Sequence, residues 1–374
     1  MDFMKLFRRK SDSEELSSFE IVDPVDLSPL KLVDGMGPPP TPSYQENCIS
    51  LRDFLAKWKK WYPLELDVDS VITKVHELKE LLWSMPMLTT ENPDDDHGRK
   101  WYKLWNVDPV EQVKLSELYW CTDIVLFRYL RSYKFKVQQA FHMIRKTLAW
   151  RRFKKLDSLD PDFLGSSNAG GMVYRKGYDK SGRPLLYYRP RDEVDYDREK
   201  QVCLIFFGIE RALESQLLMH GNDKVVVFVD LVGWSLSKMP TVELVIDTIR
   251  ALAEHYTDVV NEVVIVDAPL LFDPLMQMIK AVIDSSTAKK VIIKSRGPKL
   301  EKHLFRFADP DQIEVSMGGD NRVEYDHDTY WPYETKLALE AKERRDKWMK
   351  EHEAEWLERH KGGAGEHAEG QQEA

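Results

Sequence analysis

Gly233-Trp234-Ser235 follows a β-branched run that ends at Asp230, which is where a hydrolase would carry its nucleophilic serine. That motif needs a second glycine two residues on, so that the strand can turn sharply into a helix; Ser237 stands there instead. No P-loop, no G-x-G-x-x-G and no H-E-x-x-H occurs anywhere. The ten histidines are scattered, and none pairs with an acid or a cysteine at a spacing suited to general-base or metal-ligand work. Cys48, Cys121 and Cys203 lie far apart, as in a protein of a reducing compartment and unlike a disulfide framework. The chemistry on offer is binding. Catalysis, a metal and a cofactor are not expected.

The strongest physical signal is VIVDAPLLFDPLMQMIKAVID, from Val264 onward. A β-branched strand ends at Asp267, Ala268-Pro269 breaks it, and a helical pattern follows. On a wheel, Asp273, Gln277, Lys280 and Asp284 form one narrow polar stripe. Leu270, Leu271, Phe272, Leu275, Met276, Met278, Ile279, Val282 and Ile283 make up the rest, so the apolar arc covers well over half the surface. Such a helix is either wedged deep in an α/β core or lines one wall of an apolar cavity, where methionine and aromatic side chains suit a shape-tolerant pocket.

The elements that must position this helix alternate between strand and helix after Asp160. Residues 172–190 read as a hairpin turning at Asp179-Lys180-Ser181-Gly182. Helix is expected over 198–218, 242–256 and 297–305, and strand over 224–230, 262–269 and 289–295. Near-continuous β-branched runs indicate strands buried on both faces, and strand–helix–strand order implies a right-handed, largely parallel sheet. Ahead of it, helical spacing runs over 49–85 and 110–153, separated by a polar loop at 91–100. Residues 1–48, with the Pro-rich GPPPTP, are expected to be disordered. The run 334–360 reads as a charged, solvated helix, and 362–374 as a disordered tail.

Composition narrows the classes further. With 43% hydrophobic and 31% charged residues, 374 residues suffice for a sizeable core. The net charge of −9 argues against nucleic acid as a partner. No apolar run reaches the roughly 20 residues that a membrane-spanning helix needs. Residue 2 is Asp, which excludes N-myristoylation, and the short basic-aromatic MKLFRRK patch suggests at most a weak contact with anionic lipid.

Five stretches, in this order, resemble the CRAL-TRIO lipid-binding family: LRSYKFKVQQAFHMIRKTLAWRRF, DKSGRPLLYYRPR, FVDLVGWSLS, IVDAPLLFDPLMQMIKAVIDSSTAKKV and the late MGG. The resemblance runs from about residue 112 to 320, and is greatest to fungal-type phosphatidylinositol transfer proteins. It implies an α/β fold in which a helical N-terminal lobe precedes a lobe whose mostly parallel sheet floors an apolar lipid cavity. The helix after the "APLLF" strand closes that cavity as a gate. The corresponding division of the chain is a disordered segment 1–48, a helical extension 49–111, a helical lobe 112–155, a lipid-binding domain 156–320 and a charged C-terminal helix with tail 321–374.

The same resemblance implies which residues meet the lipid. Lys134, Asp179, Asp258, Thr287 and Lys290 take the headgroup positions of phosphatidylinositol-carrying members, with Asp258 replacing the usual Glu and Tyr133 replacing a basic residue. Leu271, Phe272, Leu275, Met276, Met278, Ile279 and Val282 take gate and cavity positions. Val225 and Val227 take the floor, where members that exchange phosphatidylcholine carry Ser and Thr. Arg175, Leu186 and Ile209 stand where those members have Tyr. The expected ligand is therefore phosphatidylinositol, with a second lipid that is a sterol or another apolar molecule and not phosphatidylcholine. The expected protein is cytoplasmic, peripheral on membranes, and a transfer protein; the alternatives are a non-transferring lipid sensor and a lipid-acting hydrolase or isomerase.

Overall fold

The computed structural model describes residues 49–88, 107–195, 197–234, 240–269 and 272–360. The expected disordered ends, the 91–100 loop, Ser235, Ser237, Leu270 and Leu271 lie outside the described residues.

Side-chain caps start the N-terminal helices. Ser50, Asp67 and Thr122 each accept a backbone N–H from the residue three positions on, which satisfies donors that a helix leaves orphaned. The helices are α1 (Leu51–Trp58), α2 (Val68–Trp83), α3 (Leu115–Trp120), α4 (Asp123–Ser132) and α5 (Val137–Phe153). The single pattern expected over 110–153 is thus three helices. The break between α4 and α5 is a turn in which Lys134 and Phe135 both adopt left-handed backbone angles. Phe54, Leu55, Val71, Val75, Leu78, Leu82, Phe127 and Ile144 close one core among α1, α2, α4 and α5.

After a short helix α6 (Pro161–Gly165), the chain builds β1 (Val173–Tyr178), β2 (Pro184–Tyr188), α7 (Arg198–Glu214), β3 (Val225–Asp230), α8 (Val242–His255), β4 (Val260–Val266), α9 (Phe272–Lys280), α10 (Ser285–Lys289), β5 (Val291–Lys294), α11 (Pro298–Leu304) and α12 (His327–His360). The five strands form one sheet in chain order; the β1–β2 pair is antiparallel and the other pairs are parallel. The expected α/β architecture, with helices before a mostly parallel sheet, is what the chain adopts. Gly182, at φ 76°, lets the β1–β2 turn close where DKSG predicted it.

Register places Arg175, Leu186, Val227, Val263 and Val291 in one row across the sheet, with Val173, Tyr188, Val229, Ile265 and Ile293 in the next row of the same face. Over β1 and β2 this face is sealed by α7, whose Gly208 comes so close that an added Cβ would lie 2.4 Å from a Val173 methyl. Over β3–β5 the seal is incomplete. Val227, Val229, Val263 and Val291 are half-buried and Ile293 is 41% exposed. The strands are therefore not buried on both faces, as the unbroken β-branched runs suggested. The opposite face is closed: Tyr174, Tyr187 and Phe228 stack at 5.2 and 5.1 Å, under Leu300, Leu304, Ile313 and Met317.

The C-terminal helix also departs from expectation. It is docked, not solvated. Glu334 is buried and bonds both Arg175 and Arg211, the Trp331 indole donates to the Pro161 carbonyl at 3.0 Å, and Trp348 and Trp356 pack edge-on against Trp83. Beyond Trp331 and Glu334 the anchors Trp348 and Trp356 stand two turns or more apart among charged residues, so no continuous apolar stripe announces them.

Candidate functional site

The three parallel strands β3, β4 and β5 begin side by side, and the residue just ahead of each start carries a charge or lies close to one that does. Lys224 precedes β3, Asp258 lies two residues before β4, and Lys290 precedes β5. Lys224 Nζ is 2.6 Å and Lys290 Nζ 2.9 Å from the same Asp258 oxygen. Arg131, from the last turn of α4, reaches the other Asp258 oxygen at 2.5 Å and contacts Asp223 at 3.3 Å. Arg128, one turn earlier, contacts Asp223 at 3.4 Å. Asp258 sits at φ 52°, a left-handed conformation that Asp tolerates better than most residues, and this turns its carboxylate back between the three cations.

Four cations thus face two carboxylates in a largely buried place. Burial alone would raise the Asp258 carboxyl, but Arg131, Lys224 and Lys290 together hold it far below the usual carboxylate range. Burial above all lowers Lys224 to about 7; Arg131 and Lys290 push the same way, and Asp258 and Asp223 offset them only in part. Several buried polar atoms here make no hydrogen bond: the donors Arg131 Nη1 and Arg183 Nε, and the acceptors Asp223 Oδ1 and Asn222 Oδ1. Such atoms ordinarily find a partner.

Aromatic side chains from the N-terminal extension roof this cluster. The Arg131 guanidinium lies 4.2 Å from the Trp58 ring centre, and Lys224 Nζ lies 5.1 Å from that of Tyr62. Trp58 and Tyr62 stack at 4.1 Å, and the Tyr62 hydroxyl donates to Asn261 Oδ1 at 3.2 Å. The extension is pinned beside the cluster by Lys57, which donates to the Met219 carbonyl at 2.6 Å, and by Trp61, whose indole donates to the His220 carbonyl at 2.8 Å.

Of the five residues expected at the headgroup, Asp258 and Lys290 meet directly. Asp179 is fully buried in the β1–β2 turn, where it accepts from the Ser181 and Arg183 backbone and pairs with Arg183 at 3.1 Å. Its partner Arg183 reaches the edge of the cluster, with its guanidinium 5.9 Å from the Tyr62 ring centre. Thr287 donates its hydroxyl to Asp284 at 2.5 Å in the cap of α10. Lys134 is exposed and stands apart, since the left-handed turn swings it off the α4 face that carries Arg128 and Arg131. Sequence reasoning missed Arg128, Arg131, Asp223, Lys224, Trp58 and Tyr62. The one available signal was Arg131 itself, inside LRSYKF and three residues before Lys134.

The apolar half of the site lies on the incompletely covered face of β3–β5. Helix α9 presents Phe272, Leu275, Met276 and Ile279, at i, i+3, i+4 and i+7, to Leu231 and Ile265 and to the half-buried Val229, Val245, Ile246, Ile249 and Val263. Trp234 meets Phe272 edge-on at 6.4 Å. The polar stripe Asp273, Gln277, Lys280 and Asp284 is exposed as the wheel predicted. The wide apolar arc is a correction. The helix ends at Lys280, Met278 is 42% exposed and does not face the sheet, and Val282 is half-buried in the turn that follows. On the floor, Val225 is fully buried and Val227 half-open.

Residues 168–319 match the family model described as the CRAL/TRIO domain. This stretch is a CRAL/TRIO domain. A CRAL-TRIO domain-containing protein of Schizosaccharomyces pombe is 29% identical over 242 residues, covering 64% of this chain and 23% of that protein. The phosphatidylinositol transfer protein PDR17 of Saccharomyces cerevisiae is 24% identical over 247 residues, covering 63% of this chain and 68% of PDR17. The crystal structure of Sfh5 aligns over 71% of this chain and 92% of that chain, at 16% identity and a TM-score of 0.48. Several curated relatives are longer, and the chain spans about a quarter to a half of their length. The CRAL/TRIO domain contains the whole sheet, α9, Asp223, Lys224, Asp258 and Lys290. Trp58, Tyr62, Arg128 and Arg131 come from outside it. The polar cluster is therefore built across the domain boundary. Among the described residues no helix is long and apolar enough to cross a membrane.

Proposed function

We propose that this protein binds a single phospholipid, phosphatidylinositol, and carries it between membranes. The observation that carries the reading is the buried charge imbalance at the starts of β3–β5, joined to a half-covered apolar face on the same strands. An excess of buried cations stabilises an anion, and a phosphodiester is one. The orphaned donors of Arg131 and Arg183 and the orphaned acceptors of Asn222 and Asp223 suit a ring of hydroxyls, because each hydroxyl both donates and accepts. The Trp58 and Tyr62 rings, which a trimethylammonium group would use, are already taken by Arg131 and Lys224, and the surrounding cations repel it, which disfavours phosphatidylcholine. Arg175, tied to Glu334, and Leu186 offer it no aromatic box either. The apolar face alone does not select a headgroup, and a sterol is the natural second cargo to test.

Magnitudes favour a closed carrier with a gate. Each buried CH₂ is worth about 0.8 kcal/mol, so two acyl chains exposed to water cost on the order of 20 kcal/mol. Swinging Phe272, Leu275, Met276 and Ile279 into water costs roughly 1.5–3 kcal/mol each. The helix therefore stays shut in solution and opens where a bilayer receives those side chains. Pro269 just ahead of α9, and Pro274 in its first turn, fix where the helix starts without costing it a hydrogen bond, so the pivot would lie at the segment that leads into it.

The test is mass spectrometry of lipids co-purified from the native host, followed by vesicle-to-vesicle transfer. Phosphatidylinositol should be recovered at one molecule per chain. Phe272→Asp should impair transfer more than retention of lipid already bound. Recovery of no phospholipid, or turnover of the bound lipid, would overturn the reading; binding without transfer would leave a lipid sensor in its place.

A further inference from the structure

The chain is acidic overall, at −9, yet residues 285–306 carry seven Lys or Arg against one Glu. Two of the seven are engaged: Lys290 with Asp258, and Arg296 with Asp230 and Asp267 at 3.0 and 3.2 Å. The other five are Lys289, Lys294, Lys299, Lys302 and Arg306. Lys289, Lys299, Lys302 and Arg306 are exposed, and Lys294 is half-buried. On α11, Leu300, His303 and Leu304 face the core, which leaves Lys299, Lys302 and, just past its end, Arg306 as an outward stripe. β5 is the last strand of the sheet, and among the described residues no strand pairs with its far side.

From this juxtaposition we infer that the β5–α11 edge docks on an anionic membrane surface. The inference rests on the lipid-carrier reading and adds to it the surface the carrier meets. The half-covered apolar face of the sheet reaches its rim at Ile293, which is 41% exposed, so lipid leaving that face passes this edge. The basic stripe of α11 and Lys294 lie on one flank of β5 and Ile293 on the other, so this edge brings charges for lipid phosphates alongside the rim of the apolar face, as an anionic bilayer surface would meet them. A lysine-lined edge strand also guards against strand pairing between molecules, but that role needs charges on β5 alone and not three more along α11.

The experiment is flotation of the full-length protein with phosphatidylcholine vesicles, with and without phosphatidylserine. Wild type should favour the phosphatidylserine vesicles, and added salt should abolish the preference. Each lysine or arginine near such a surface is worth roughly fivefold, so the exposed triple variant K299Q/K302Q/R306Q should bind on the order of 100-fold more weakly. Its lipid content and thermal unfolding should match wild type, which separates a docking defect from a folding defect. Lys289→Gln, on the neighbouring helix, should show a several-fold loss on its own. Equal binding to both vesicles, or a triple variant that floats like wild type, overturns the inference. Tighter binding to a double-stranded oligonucleotide than to phosphatidylserine vesicles, lost in the triple variant, overturns it in favour of nucleic acid. A wild type that carries no lipid but binds through the stripe leaves the docking surface standing and removes the carrier.

Discussion

The two ends of β3, β4 and β5 carry ion clusters of opposite design. At the C-terminal ends, Arg296 bonds Asp230 and Asp267, and Arg191 bonds Asp230 at 2.7 Å. Two arginines meet three carboxylates, Asp192 joining Arg191 at 3.5 Å, so the cations there are fully matched. At the N-terminal ends, among the described residues, the ion pairs of Arg128, Arg131, Lys224 and Lys290 are with Asp223 and Asp258, and Asp284 only feels Lys290 at longer range. The backbone repeats the parallel, since Asp258 and Asp267 are both left-handed, at φ 52° and 54°. The balanced end is a clasp that ties β3 and β4 to the segment after β5. The unbalanced end is costly as it stands, because removing charges from water costs several kcal/mol per ion unless they are paired. An anion would offset that cost, which is why the headgroup is assigned to this end although α/β sheets more often bind ligands beyond the carboxyl ends of their strands.

Neutralising the matched aspartates gives the largest contrast, and Asn keeps the left-handed backbone in both. Asp258→Asn should cost about 2–4 kcal/mol in denaturant unfolding, since three partly buried cations lose their carboxylate. It should also lower phosphatidylinositol loading. Asp267→Asn should cost about 1 kcal/mol or less, because its partner Arg296 is well exposed, and should leave loading unchanged. Equal costs would mean that the two ends are merely two salt bridges.

A smaller effect separates binding from structure. Lys290→Met should reduce phosphatidylinositol loading roughly tenfold, from loss of one charge-assisted bond of about 1.5 kcal/mol. Arg296→Met should leave it at the wild-type level. A loss in both variants would place the headgroup across the whole sheet and not at one end.

Lys224 sharpens the comparison through pH. Its folded-state pKa of about 7 lies below the ordinary 10.5, so between those values the native state holds fewer protons than the unfolded chain. Its contribution to stability therefore rises with pH across that window. A bound phosphodiester would restore the proton, so phosphatidylinositol binding should take up a proton above neutrality, tightening as pH falls toward about 7 and levelling off below it. Calorimetry in buffers of different ionisation enthalpy reads this directly, and Lys224→Met should abolish the uptake.

The smallest effect concerns the aromatic roof. Tyr62→Phe keeps the ring over Lys224 and removes the hydroxyl, with its hydrogen bonds to Asn261 and Arg183. It should cost about 0.5–1.5 kcal/mol in unfolding and leave loading within a few fold of wild type. A large loss of loading would make that hydroxyl a headgroup contact.

Much of the architecture was legible in the residues. β-branched runs broken by helical spacing specified a mostly parallel sheet, DKSG fixed the first turn, and the stripe Asp273–Asp284 oriented α9, because hydrophobic period and turn chemistry are local properties. Asp258 and Lys290 could be singled out only through family resemblance, since neither stands out from a solvated charge by its neighbours in sequence. Tertiary structure decided what surrounds them. Parallel pairing aligned the starts of β3, β4 and β5, so that Lys224, Asp258 and Lys290 converge from three separate segments. Packing of α4 turned Arg128 and Arg131 inward, while the left-handed turn after it sent Lys134 out to water. The docking of α1 brought Trp58 and Tyr62 over the cations. Charge balance is a sum over groups that only folding brings within a few ångströms, and so it has no signature along the chain.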